Sequence, residues 1–546
     1  MSPGATHFTI QQQTAPATYT SIYNIATRGS GELFVFGGFA GQSGGSYVAK
    51  LDPVSLNELW RTNFSVPSNQ WSYFGAMGVQ GQGDIFAVSS NVLIKVNPSS
   101  GALIAQATLP QLGSSEGGTG AVYNGFVVTD SGLIVLKSIE RGTCSSDGPA
   151  ALLCAARNNL GGNLLIVDPN SLKIIISVPL FQTSLGRLML ERRNNIDYIY
   201  IPGLTDIYRY TWDGVSLLLD TSWGPVSYAG GVNGSGVGLL GDYAVIQTNF
   251  LPSITPSKLI AVSILSSADV KTIQPFSGAS SWVPSKGAFD ASNSRAYVQD
   301  TNVGQVAALT LTSTGWVVNW IVENQAKGFL FVTGPPQARQ VVMPSSSSLG
   351  DQMVWRDAST GNAVATSDIV ASTATLDPIA PGFNGVVYYP SSATGKLVQL
   401  TPFGVGLSYY PVSPCRIVDT RNTATPNLPI GSPVAYKVNQ GGPTFNYSAQ
   451  GGNASGCGIS ADAKAVFFNF VAVNSAEPGF LRAWSYGTTI PTASVLNYAN
   501  VNGLNIANGL VIPVCNPNTA TCSSDLSLQA DQATTQLVID VVGYFK

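Results

Sequence analysis

The chain of 546 residues carries 26 Lys and Arg against 29 Asp and Glu, a net charge of −3 and a charged fraction of 10%, against roughly 25% in an ordinary soluble domain. So near-neutral a balance excludes the clustered basic footprint that nucleic acid demands. With 44% hydrophobic and 10% aromatic residues the chain is a folded protein.

The opening Met1-Ser2-Pro3-Gly4-Ala5-Thr6 lacks the charged and then apolar stretches of a signal peptide, so the expectation is a cytosolic chain or a mature secreted one. Residues 1–20 form an arm without any Lys, Arg, Asp or Glu and hold a strand-like piece, His7-Phe8-Thr9-Ile10. A strand without charged gatekeepers seeks a sheet edge. The edge is either that of its own domain or that of a second copy, and the latter contact would repeat head to tail into a filament.

Over residues 21–401 a hairpin recurs: an apolar strand, a turn led by Asp, Asn or Ser, then another apolar strand. The turns include Asp52-Pro53-Val54-Ser55, Asn97-Pro98-Ser99-Ser100-Gly101, Asp168-Pro169-Asn170-Ser171, Asp213-Gly214, Ser313-Thr314-Gly315 and Asp357-Ala358-Ser359-Thr360-Gly361. Pro after Asp presets φ and Gly supplies a left-handed exit, so the acidic residues read as turn-formers. Asp52 to Asn97 and Asp168 to Asp213 are each 45 residues apart, and Ser313 to Asp357 is 44, the period of a propeller blade. Weaker copies at Ser263 to Asp269 and Ser392 to Leu397 bring the count to about eight. The eighth ends early, so its outer strand is expected from the N-terminal segment His7 to Gln12. No stretch reaches the 18 or so apolar residues of a membrane span.

Six cysteines fall into local pairs, Cys144 with Cys154, Cys415 with Cys457 and Cys515 with Cys522. Short loops close most readily, so these three disulfides are expected, and with them an extracellular or cell-surface location. From residue 414, after a linker at 402–413, the character changes. Pro414-Cys415-Arg416-Ile417-Val418-Asp419-Thr420-Arg421 opens a segment of alternating strands that closes with Asp540-Val541-Val542-Gly543-Tyr544-Phe545. Asp419, Arg421, Asn469, Arg482, Asn497 and Asp540 are polar residues in apolar surroundings, read either as a structural network or as a ligand site.

The hairpins of residues 20–401 resemble those of PQQ-like and WD40-like β-propellers, whose blades in the former carry a turn like Asp-x-x-Thr-Gly before a strand ending in Trp. The resemblance implies architecture and little chemistry. Residues 414–546 resemble the module opening CRxVDTR and closing DVxGYF that is appended to secreted bacterial surface proteins. That resemblance implies a small β-sandwich with no assigned catalytic activity.

The fold class expected is therefore all-β, an eight-bladed propeller followed by a β-sandwich. His7 is the sole histidine, so a histidine-based triad is excluded, and no adjacent-cysteine pair of the quinoprotein kind is present. No cofactor, metal or catalytic residue is expected. The function expected is that of an extracellular, non-enzymatic structural or adhesive surface protein whose partner is itself. A secreted glycan-binding propeller, with Trp71, Tyr73 and Phe74 or Trp223 and Tyr228 lining a groove, and a propeller hydrolase or quinoprotein-like oxidoreductase are the alternatives. Glycosylation sequons occur at Asn63, Asn233, Asn446 and Asn453.

Overall fold

The computed structural model describes residues 10–546 except 20, 39–44, 67–74, 80–82, 112–119, 141–143, 145–153, 156–157, 229–231, 234, 249, 252–254, 280–286, 324–328, 348–349, 369, 371–377, 392–393, 403–408, 502–504 and 516–520. The chain divides into two compact units, Met1–Gly404 and Val405–Lys546. Strand dominates both, and no helix among the described residues is long and apolar enough to cross a membrane.

The first unit is a β-propeller of eight antiparallel blade sheets, with one further two-stranded sheet, Val232–Asn233 with Phe250–Leu251, among the described residues. Blade 1 comprises Ile22–Thr27, Leu33–Gly38, Ser46–Leu51 and Glu58–Phe64, hydrogen-bonded in chain order from the innermost strand to the outermost. Blades 2 to 7 repeat this over residues 76–108, 121–179, 189–219, 237–273, 288–323 and 331–366, blade 4 with one short extra strand. Blade 8 supplies only Ala380–Pro381, Val387–Ser391 and Lys396–Pro402, and its outer strand is Ile10–Thr14 from the other end of the chain. Each innermost strand lies against the innermost strand of the next blade, and Ala380–Pro381 lies against Ile22–Thr27, so the ring is closed.

Burial follows from this radial stacking. The two middle strands of a blade face neighbouring blades on both sides, so Leu33–Gly38, Ile85–Ser89 and Leu259–Ser263 are buried at every residue and read as continuous apolar runs. Outer strands bury no residue fully: in Leu103–Thr108 and in Ile174–Pro179 four of the six residues are exposed and the other two half-buried. The recurrent turns join the third and fourth strands. Val54 and Ser55 donate their backbone N–H groups to Asp52, Ser99 and Ser100 to Asn97, Val215 and Ser216 to Asp213, and Ser359 and Thr360 to Asp357. The copy at Ser392 to Leu397 differs. It joins the second and third strands of blade 8, because that blade's fourth strand is not continuous with it.

Adjacent blades interlock through tryptophan. The Trp60 indole on blade 1 donates to Pro98 O in the turn of blade 2, Trp223 after blade 4 to Ser263 O of blade 5, and Trp320 on blade 6 to Ala358 O of blade 7. Gly101 and Gly361 take φ of +73° and +76° in those turns, and a Cβ there would lie 2.7 and 2.8 Å from the indoles of Trp60 and Trp320. Glycine is needed for conformation and for room alike.

The second unit is a sandwich of two four-stranded antiparallel sheets. One orders Tyr409–Asp419, Gln536–Phe545, Ala465–Val473 and Ile506–Pro513. The other orders Val434–Tyr436, Leu526–Asp531, Gly479–Ser485 and Leu496–Tyr498. Ile417, Val466, Phe468, Phe470, Leu481, Leu526, Leu528 and Ile539 meet in one core between them. Its first strand begins at Tyr409, inside the segment 402–413 expected to be a linker, because Tyr409 and Tyr410 pair with Phe545 and Tyr544.

Candidate functional sites at the ring seam and in the C-terminal sandwich

The seam between blades 8 and 1 is built by the N-terminal arm. Ile10–Thr14 runs antiparallel to Lys396–Pro402, with Ile10 opposite Pro402 and Thr14 opposite Val398. The described strand agrees with the expected His7 to Gln12 over Ile10 to Gln12 and continues to Thr14; His7, Phe8 and Thr9 fall outside the described residues. Ala15 continues the pairing by donating to Leu397 O at 2.8 Å. Tyr19 is the anchor. It is buried, its hydroxyl donates to Glu58 Oε2 at 3.0 Å, and the Arg61 guanidinium lies 4.8 Å from its ring centroid. Burial and then the Glu58 charge raise its phenol pKa, so it stays a neutral donor. Gln399 on blade 8 donates to Pro53 O in the outer turn of blade 1 at 2.8 Å, so the seam is stitched by side chains as well as by strand.

Connections are asymmetric about the ring. Turns between first and second, and between third and fourth, strands are short. The connections between second and third strands, and from one blade to the next, include 141–162, 220–236 and 367–379. Long connections thus gather on one face, the usual place for recognition on a rigid scaffold.

All three disulfides form as paired above: Cys144–Cys154 in the long connection of blade 3, and Cys415–Cys457 and Cys515–Cys522 in the sandwich. They suggest an oxidising, extracellular environment.

The polar residues of the sandwich resolve into two clusters. Arg421 grips the buried Asp419 with two hydrogen bonds, of 2.9 and 2.7 Å, and Arg416 bridges Asp419 at 3.2 Å to Asp540 at 2.9 Å. Asn469 lies directly across the sheet from Asp540. Chiefly through the Arg421 hydrogen bonds, the Asp419 carboxyl is held below the usual range, and its partners are raised. Arg482 is on the opposite sheet and forms its own pair with Asp531, at 2.7 and 2.8 Å. Asn497 is exposed and joins neither cluster. Arg416 and Asp531 are the members missed from sequence. Arg416 stood inside the CRIVDTR run, but only its register opposite Asp540 reveals its role.

The expected aromatic groove does not form from Trp223 and Tyr228, which are 3% and 1% exposed; both are spent on packing between blades 4 and 5. Trp71, Tyr73 and Phe74 lie outside the described residues. The sequons Asn63, Asn446 and Asn453 are exposed.

No family model and no curated protein matches the chain. Among solved structures it is similar to Sqt1 of Chaetomium thermophilum, at 11% identity and a TM-score of 0.50, over 72% of this chain and 97% of that one. It is also similar to the quinohemoprotein alcohol dehydrogenase of Comamonas testosteroni, at 11% identity and 0.46, over 72% and 76%. A europium-containing methanol dehydrogenase aligns at 9% and 0.47, over 72% and 93%. These likenesses concern the propeller fold alone.

Proposed function

We propose that this is an extracellular, non-enzymatic structural or adhesive protein that assembles with copies of itself into filaments. The observation that carries the reading is the rim of the propeller. The outer strands Leu103–Thr108 and Ile174–Pro179 contain no charged residue. Leu103, Ile104 and Ile175 are 47%, 48% and 49% exposed there, and Val317 on blade 6 is 50% exposed. Exposed, uncharged, aliphatic edge strands are what monomeric proteins guard against with Lys or Pro. Blades 2 and 6 stand four places apart in a ring of eight, hence on opposite sides. Two patches facing opposite ways propagate a chain of copies instead of closing a pair. The uncharged closing strand offers a second route, since a strand that completes its own blade 8 can complete a neighbour's by exchange. The resemblance of the C-terminal segment to a surface module and the three disulfides agree with an extracellular setting.

Sedimentation and negative-stain imaging of the full chain against Ile104→Lys/Ile175→Lys test the rim. Wild-type filaments that shorten or vanish in the variant are expected, and a wild type that stays monomeric at high concentration overturns the reading. Gln11→Cys/Thr401→Cys, a cross-strand pair, then separates the routes under oxidation. A ladder of multiples on a non-reducing gel means strand exchange, and a single monomer band confines the arm to ring closure.

A further inference from the structure

One sheet of the sandwich turns a face away from the core, and its register decides what that face displays. Across the strands Tyr409–Asp419, Gln536–Phe545, Ala465–Val473 and Ile506–Pro513, Arg416 stands opposite Asp540, Asp540 opposite Asn469, and Asn469 opposite Gly509. Residues paired in this way share a face. The four therefore form a polar row across the sheet, while the adjacent Phe468, Phe470 and Ile539 point into the core. On one side of it runs the row Pro411, Gly543, Phe467 and Val511, and on the other Val538, Val471 and Ala507.

Two glycines shape this surface. A Cβ on Gly543 would collide with the Tyr409 ring, and one on Gly509 would stand 3.2 Å from Phe467 Cε2. Each ring reaches over a glycine, and because Gly543 is the cross-strand partner of Phe467, the two rings are neighbours. The surface is open: Tyr409 is 45% and Val511 44% exposed, Ala507 and Gly509 are exposed, and Phe467 and Asn469 are half-buried. The Asn469 amide makes no hydrogen bond among the described residues, so both its donor and its acceptor are on offer beside the rings.

Charge and layout select the occupant. The four strands carry only three charged residues, Arg416, Asp419 and Asp540. With Arg421 they make two arginines against two aspartates, all engaged with one another. An ionic ligand would have to break one of these pairs, whereas a neutral one can use the lone pairs they leave over. A protein interface gathers apolar groups at its centre and polar ones at its rim. Here the order is inverted, with the polar row running between two apolar ones. A sugar ring matches it, with an apolar C–H face for an aromatic ring and hydroxyls around its edge for an amide and a carboxylate.

We propose that this outward sheet face of the C-terminal sandwich binds a neutral polysaccharide, with Phe467 and Tyr409 stacking on neighbouring sugar rings of one chain, Asn469 and Asp540 taking their hydroxyls, and Gly509 leaving the floor of the trough clear. An open face takes the interior of a polymer, not its end. The inference names what the adhesive role holds and does not depend on assembly through the propeller rim.

Affinity electrophoresis of the full chain through gels containing hydroxyethyl cellulose, galactomannan, xylan or dextran is the test, with alginate and chitosan as charged controls. It is run on the wild type and on Ile104→Lys/Ile175→Lys, in which rim assembly is disabled, so that a failure of self-association does not obscure it. Saturable retardation by at least one neutral polymer is expected, equal in the two proteins. It should weaken at least tenfold in Phe467→Ala and a few-fold in Asn469→Ala. Gly509→Gln, which fills the trough without removing any partner, should weaken it at least tenfold too, and carries the test if Phe467→Ala does not fold. Absence of retardation by every neutral polymer overturns the proposal, as does undiminished retardation of a folded Gly509→Gln, or binding to alginate or chitosan tenfold tighter than to any neutral polymer. Loss of self-association in Gly509→Gln without any polysaccharide binding by the wild type would overturn it as well and assign the face to a second copy.

Discussion

The propeller and the sandwich solve one problem, burying the faces of short antiparallel sheets, in opposite ways. In the propeller the core is divided among interfaces between blades: Phe34, Phe36, Val48, Ile85 and Ile94 fill one, Tyr297, Trp320, Val341 and Met343 another. Each interface is locked by local devices such as the tryptophan seated on a glycine turn. In the sandwich a single core joins all eight strands, and two of the three disulfides lie in this shorter unit. Repetition spreads stability over many equivalent contacts. A lone small core leans on covalent staples and on ion pairs across its strands. The lesson is that the same class of element calls for different anchors depending on whether a neighbour of the same kind is available.

If so, damage to one interlock should register in the propeller alone. Trp320→Ala removes a nearly buried indole and one of the donors to the Ala358 carbonyl, which keeps those of Arg295 and Tyr297. A loss of about 3–5 kcal/mol is expected from the cavity. Calorimetry of the full chain should show the propeller transition falling while that of the sandwich stays. Equal displacement of both would break the comparison by making the units one cooperative body.

The converse change is Cys415→Ser/Cys457→Ser. The bridge spans a sequence separation of 42 residues, for which the chain-entropy model gives up to about 4 kcal/mol. The sandwich transition should fall by that much or somewhat less. The corresponding change at Cys144 and Cys154, which closes a separation of 10 within one connection of one blade, should cost the propeller less. A larger cost at Cys144 and Cys154 would contradict the assignment of staples to the small core.

Legibility in the sequence follows the range of the interaction. Turns are encoded within four residues, so Asp52, Asn97, Asp168, Asp213 and Asp357 were readable, and with them the period and the ring. The three disulfides were readable because each joins near neighbours. The middle strands were less so, since burial on both faces erases alternation. What depended on register was hidden. That an N-terminal strand closes blade 8 was readable, but its register, with Gln12 opposite Leu400 and Thr14 opposite Val398, is one that nothing local specifies. Arg416 pairs with Asp540 across 124 residues and Arg482 with Asp531 across 49. Trp223 and Tyr228 were misplaced in a groove because an aromatic serving an interlock and one serving a ligand look alike until burial is known.

The smallest effect sharpens the comparison most, because it sets the same side chain in the two regions against itself. In the propeller Asp213 accepts backbone N–H groups in its turn, and these lower its pKa. Asn97 occupies the equivalent place in blade 2 and accepts the same bonds, so Asp213→Asn should leave the propeller transition unchanged. In the sandwich Asp419 is held by two guanidinium groups, and an amide cannot replace its charge. Its carboxyl is lowered chiefly by the Arg421 hydrogen bonds, with burial opposing. The native state thus keeps the proton off more strongly than the unfolded chain, whose value is about 3.9. The stabilisation is therefore present in full above that value and drains away as pH falls through the lower native one. Both arginines are about four-tenths exposed, so solvent screening holds the effect to roughly 1 kcal/mol. Asp419→Asn should accordingly lower the sandwich transition at pH 7, with the difference from wild type closing as pH falls below the unfolded value of about 3.9. Melting curves of both variants across pH 2–7 measure this. A deficit in Asp419→Asn that persists undiminished in acid would mean that Asp419 acts through shape and the hydrogen bond to the Arg421 backbone, not through its charge.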